Sequence, residues 1–136
     1  MNTALNKTLR SFKMTAPMII GVLLLINLLN PLLQRFYPVI FTGNYLLDPL
    51  IGAIAGSASF GIPIVSYITG GELLHEGVSL LAVIAFMLSW STVGLVMLPL
   101  EISQLGRKFA ILRNSLNFLT SIIIAILTVI TLNLLK

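Results

Sequence analysis

Cysteine is absent, which excludes disulfides, thiolate metal ligands and a cysteine nucleophile. Charge is scarce: Asp, Glu, Lys and Arg make up 9% of the 136 residues, against about 25% in a soluble domain. The net charge of +4 is not gathered into a basic patch with interleaved aromatics, so no nucleic-acid partner is expected. No nucleophile–base constellation and no cofactor loop can be read, so neither an enzyme nor a cofactor is expected. No A-x-A-like cleavage site follows the first apolar run, which is therefore read as a retained helix rather than a signal peptide.

What remains is apolar. Hydrophobic residues reach 57% and mean hydropathy is +1.05. The charges cluster and leave four uncharged runs: 14–34, 49–71, 77–100 and 114–135, of 21, 23, 24 and 22 residues. A helix needs about 20 apolar residues to span the hydrocarbon layer, so each run is long enough. The prediction is an all-α integral membrane protein, one membrane domain over 1–136, in the cell (inner or plasma) membrane of a prokaryote. It has three transmembrane helices, at 16–33, 78–100 and 116–135, plus one broken or re-entrant helical hairpin over 46–71. The N-terminal segment 1–14 and the basic loop 101–115 are expected on the cytoplasmic side.

The orientation comes from the basic residues. Lys7, Arg10 and Lys13 precede the first run, and Arg107, Lys108 and Arg113 lie between the last two. With both groups inside, six of the eight basic residues are cytoplasmic. The segment 49–71 must then enter and leave on the outer side. The alternative, a full broken crossing, places Arg107, Lys108 and Arg113 outside, against the positive-inside rule.

The broken segment is the most informative part of the chain. Its centre, Gly56-Ser57-Ala58-Ser59-Phe60-Gly61-Ile62-Pro63, cannot stay a regular helix. Irregular backbone at membrane depth is tolerated only against protein or a water-filled cavity, and discontinuous helices are where transporters place their sites. Gly52 and Gly56 form G-x-x-x-G, read either as simple packing or as tight closure of the half-helix about the tip. Ser57 and Ser59 can cap the second half-helix near Pro63, or line a polar site where freed N–H groups favour an anion or a polarised substrate. Together with Gly61, Pro63, Ser66, Ser89, Ser91 and Thr92 they form the candidate substrate pathway. For Ser89, Ser91 and Thr92 the other reading is hydrogen bonding back to their own helix.

Glu72, His75 and Glu76 share one helical face, read either as a proton or ion relay or as a polar turn at the water interface. Two carboxylates and one histidine are too few to assign a metal site. Trp90 lies too deep for an interfacial belt and is expected inside the bundle. Glu101 is expected to end its helix and pair with the basic loop, and Asp48 to cap the first half-helix.

The stretches Gly56-Ser-Ala-Ser-Phe-Gly-Ile-Pro-Ile-Val-Ser-Tyr-Ile-Thr-Gly-Gly-Glu-Leu-Leu, Glu76-Gly-Val-Ser-Leu, Leu105-Gly-Arg-Lys-Phe-Ala and Leu112-Arg-Asn resemble the predicted-permease family of prokaryotes, which includes the organoarsenical efflux permeases. The resemblance covers about 46–117. Longer members look like two related halves, each with its own broken segment, and this chain looks like one half. It implies a half-size permease subunit that works as a dimer with an inverted partner, a paralogous chain or a second copy, amid membrane lipids, on a small-molecule or ion substrate. Arsenic-exporting members carry Cys-x-Cys where this chain has Ser57 and Ser59, so thiolate binding of a soft metalloid is not implied. The other reading is a non-transporting membrane subunit or assembly factor of a larger complex.

Overall fold

The computed structural model describes residues 6–10, 40–59 and 61–135, with scattered positions between 13 and 28. All regular structure among the described residues is helical. Most of the segment 1–14 and of the helix predicted over 16–33 lies outside the described residues. From residue 47 on there are five helices: α1 (Leu47–Ala58), α2 (Pro63–His75), α3 (Leu80–Thr92), α4 (Leu98–Leu105) and α5 (Arg107–Leu134).

A tight turn delivers the chain into α1. Gly43 takes a φ of +77°, and the Asn44 side-chain oxygen accepts the Leu46 N–H at 3.0 Å. Asp48 is not the cap the sequence predicts. It sits within the first turn, fully buried, and its Oδ2 accepts the Gly43 N–H at 3.0 Å, tying the turn to the helix. There its charge also faces the positive end of the helix dipole.

The predicted break is present. Ser59 and Ile62 are extended, with ψ of 151° and 145°. Pro63 then opens α2, where its missing N–H is one the helix would not have paired. α2 runs on past 71 to His75 and ends in a Schellman motif. The Val78 N–H reaches the Leu73 carbonyl at 3.0 Å, the Gly77 N–H reaches Leu74 at 3.1 Å, and Gly77 has a φ of +88°. Leu73 packs against the apolar cluster of Val78, Ala82 and Val83. Two residues later Ser79 caps α3 by accepting the Ala82 N–H at 3.3 Å.

Three predicted boundaries change. The helix expected over 78–100 stops at Thr92: Val93 is extended, and α4 begins only at Leu98. Pro99 is the cause, because its ring would clash with the carbonyl of residue 95 in a continuous helix and fits instead in the first turn of a new one. The loop expected over 101–115 is helical apart from Gly106, whose φ of +87° makes the turn between α4 and α5. Consequently α5 starts at Arg107 rather than 116. Arg107, Lys108 and Arg113 bound the apolar run without ending the helix, since Lys and Arg are good helix formers.

α1 and α2 are antiparallel arms laid on α3. A Cβ at Gly52 would stand 2.1 Å from the Ala82 carbonyl oxygen, and one at Gly56 would stand 2.3 Å from that of Phe86. Position rises together in the two helices, so α1 and α3 run the same way with their backbones in contact. α2 runs back: the Trp90 Nε1–H donates to the Gly61 carbonyl at 3.3 Å, while Gly70, nine residues on, meets Val83 and Met87. The Ser89 hydroxyl, buried, donates to the Ala53 carbonyl at 2.7 Å across the α1–α3 interface. α5 closes the third side through Ala125, which meets Ala53 and Ala85, all at 0% exposure.

The buried residues of α5 are Ala110, Asn114, Ser121 and Ala125, a stripe of small and polar side chains. Its exposed residues include Leu116, Leu119, Ile123, Ile124 and Leu127. With 28 residues and a mean hydropathy of 2.2 over its most apolar window, α5 is long and apolar enough to cross a membrane. The apolar helices α1 and α3, of 12 and 13 residues, are shorter.

The contrast between two glycines tests this packing. Gly52→Ala forces a methyl group into the Ala82 backbone and should destabilise by about 1–3 kcal/mol. Gly71→Ala, with nothing within 4 Å of the added methyl, should be neutral or stabilise by up to about 1 kcal/mol. Thermal unfolding of both variants followed by circular dichroism gives the comparison, and equal effects would refute the close α1–α3 approach.

Candidate functional site

The two breaks face each other. Residues from the tip between α1 and α2 (Ser59, Gly61) and from the interruption after α3 (Val93, Gly94, Val96, Met97) line one cavity of about 200 Å³. Its remaining walls are Trp90, Ser91 and Thr92 at the end of α3, Glu101 of α4 and Arg113 of α5. This places four of the eight predicted pathway residues together: Ser59, Gly61, Ser91 and Thr92.

The other four lie elsewhere. Ser57 faces a separate, largely apolar groove of about 610 Å³ that Ile54, Leu98, Ile111 and Phe118 also line. Pro63 is exposed at the start of α2. Ser66 is buried and donates to the Pro63 carbonyl at 2.7 Å, and Ser89 holds α3 to α1 as described. The expected caps on α2 are not formed. Ser57 and Ser59 instead donate to the Ile54 and Ala55 carbonyls of α1, each at 2.8 Å. Ser91 and Thr92 likewise donate to Met87 and Leu88 of their own helix, at 3.0 and 2.8 Å.

Glu72, His75 and Glu76 sit at the far end of α2, about 14–20 Å along the helix axis from the break. None of them lines the cavity between the breaks. Among the described residues no group of three or more His, Cys, Asp or Glu is placed to hold a metal.

The polar residues that matter most here went unassigned in the sequence. Interrupting α3 frees backbone groups, and α5 supplies partners for them. Asn114 accepts the Gly94 N–H on its side-chain oxygen at 2.9 Å and donates to Glu101 Oε2 at 2.8 Å and to the Ala110 carbonyl at 3.0 Å. Asn117 donates to the Thr92 carbonyl at 2.9 Å. Arg113 forms an ion pair with the other Glu101 oxygen, Oε1. The predicted pairing of Glu101 with the basic residues is thus present, with Arg113 as the partner. The only sequence signal for this cluster was the recurrence of Arg113, Asn114 and Asn117 at spacings of one, three and four, which puts them on adjoining positions of one helical face.

Two predictions follow from the cluster. Asn114, 5% exposed, serves three partners, so Asn114→Leu should cost about 1–3 kcal/mol by leaving the Gly94 N–H and a Glu101 oxygen unpaired. Denaturant melts of wild type and variant measure this, and a loss under half the lower bound would refute the role. Glu101→Gln removes the ion pair with Arg113; with the Arg113 side chain 41% exposed the loss should be small, about 0–1 kcal/mol, and the same melts measure it.

Compared with family models, with curated proteins and with solved structures, the chain matches none.

Proposed function

We propose that this chain is a half-size subunit of a membrane permease whose substrate site is the cavity between the two breaks. The observation that carries the reading is that both interruptions open onto the same polar space. Irregular backbone within an apolar assembly is stable only where protein or water satisfies it, and a pair of facing breaks is how a bundle makes a polar route through its interior.

In this reading the chain is multi-pass in a prokaryotic cell membrane with its N-terminus in the cytoplasm. The region 16–33, α3 continued through α4, and α5 are the crossings. α1 and α2 form a re-entrant hairpin from the outer side. The 12 residues of α1 rise about 18 Å, which leaves the tip inside a hydrocarbon layer of about 30 Å. Asn133 at the far end of α5 lies 3.4 Å from the Tyr45 hydroxyl, beside the entry to α1, while Arg107 and Lys108 begin α5 at the opposite, cytoplasmic end. One half encloses little space, so the working unit is a dimer with an inverted second half, and rocking of the halves gives alternating access. No enzymatic step is assigned to it.

One observation favours the other reading, a non-transporting membrane subunit: the hydroxyls of Ser59, Ser91 and Thr92 are all engaged by their own helices. Water access separates the two. The chain has no cysteine, so Ser59→Cys and Ser103→Cys each introduce a single thiol. In intact cells an impermeant thiol reagent should label Ser59→Cys from outside and Ser103→Cys only after permeabilisation. A thiol at 59 that stays unreactive from both sides would favour the structural subunit, and outside labelling at 103 would reverse the topology.

A further inference from the structure

The apolar groove of about 610 Å³ has no part in the proposed pathway. It lies between α1, α4 and α5, with Ile54, Leu98, Ile111, Phe118 and Leu119 on its walls. Ile54, Ile111 and Leu119 are each about half exposed, so the groove opens on the outside of the bundle. From Ile111 to Leu119 α5 rises about 12 Å. That length fits within one leaflet, about 15 Å or half of the hydrocarbon layer.

Charge at one end of the groove indicates what occupies it. Arg107 stands four, seven and eleven residues before Ile111, Asn114 and Phe118. Lys108 stands three, seven and eleven before Ile111, Ser115 and Leu119. At helical spacing both cations therefore continue the groove face of α5, about 5–6 Å before its first apolar side chain. Both are exposed, and among the described residues neither is ion-paired, since Arg113 takes Glu101. In the other direction the run 114–135 carries no charge. The Ser115 hydroxyl lies on the wall between the cations and Leu119.

Along the groove the order is thus a pair of cations, a hydroxyl and an apolar wall. An anionic phospholipid presents the matching order: a phosphate, an ester and an acyl chain. Long basic side chains at a helix end reach the headgroup level, where each adds to the attraction for an anionic leaflet. A second copy in the same orientation would bring further cations to this depth instead of an opposite charge.

We infer that the groove holds an acyl chain of one anionic phospholipid, with its phosphate at Arg107 and Lys108. The inference needs α5 to lie in the membrane and is independent of the permease reading.

Native mass spectrometry tests it. The full chain is held in a non-ionic detergent with equal amounts of a phosphatidylglycerol and a phosphatidylcholine of the same acyl chains, and the retained lipid is read from the mass. One phosphatidylglycerol per chain should be retained in preference. Arg107→Gln and Lys108→Gln should each lower that preference by about fivefold, whereas Lys7→Gln, a cation outside the groove, should leave it unchanged. Ser115→Trp, which fills the groove and keeps both cations, should abolish retention. If circular dichroism shows that variant to be misfolded, Leu119→Trp takes its place. Equal retention of the two lipids, or a preference that Arg107→Gln and Lys108→Gln do not move, overturns the inference. So does full retention by the groove-filling variant, because the cations then attract headgroups without the groove. A lipid-free dimer assigns the groove to a second copy and overturns it as well. Retention without flux in liposomes leaves the lipid site standing and removes the permease reading, and flux without retention does the reverse.

Discussion

The contact on which the rest of the structure depends is the backbone-to-backbone approach of α1 to α3. It exists because Gly52 and Gly56 leave room for the Ala82 and Phe86 carbonyls. At that distance dispersion between main chains and the Ser89 hydrogen bond to Ala53 supply the cohesion that large side chains supply in a soluble core. The same contact sets the axial position of everything beyond it. Because α1 and α3 run in the same direction and are in register, the end of α1 and the end of α3 arrive at one depth. Trp90 reaching Gly61 then locks the tip to the end of α3. A slip of one turn between the two helices would move the breaks about 5.4 Å apart and divide the cavity between them.

A break in a helix surrounded by apolar side chains is costly unless its freed polar groups are paired. Around the end of α3 the accounting is nearly complete. Val93 N–H bonds to Ser89, Gly94 N–H to Asn114, the Thr92 carbonyl receives Asn117, and the Asn114 amide is held in place by Glu101 and Ala110. Arg113 neutralises Glu101, so one cluster on α5 both repairs the break and balances its own charge. The arrangement also explains why the basic residues there do not mark a loop. Arg113 works from within a helix, and the chain reverses at Gly106 alone.

Much of this could be read in the sequence, for identifiable reasons. The break at 59–62 was legible because Gly, Ser and Pro act locally on the backbone, and so was the close packing at Gly52 and Gly56, where absent side chains permit contact. The pairing of Glu101 with a basic residue followed from proximity along the chain. The interruption at 93–97 was missed because charge-free length was used to mark the helix, and length does not register Pro99. The roles of Asn114 and Asn117 were hidden because an asparagine within a helical run has no local signature. Its partners, Gly94 and Thr92, become neighbours only after α5 folds back. The hydroxyls of Ser91 and Thr92 bond back to their own helix, whereas that of Ser89 crosses to Ala53 of α1.

That last point changes the chemistry of the site rather than removing it. A serine that donates to its own helix still presents lone pairs, so Ser59, Ser91 and Thr92 offer acceptors on the same wall as the Arg113 guanidinium. The spatial distribution of residue types shows what holds the fold. Ala53, Ala85 and Ala125, Ser66, Ser89 and Asn114 are buried, whereas Leu112, Leu119, Ile123 and Leu127 are exposed. With so many of its large apolar side chains turned outward, the fold leans on close packing and hydrogen bonds between its helices. The breaks follow the same rule: Asn114, Asn117, Arg113 and Glu101 pair with one another and with the freed backbone of Gly94 and Thr92, so the polar groups that an interrupted helix exposes are met by one face of α5.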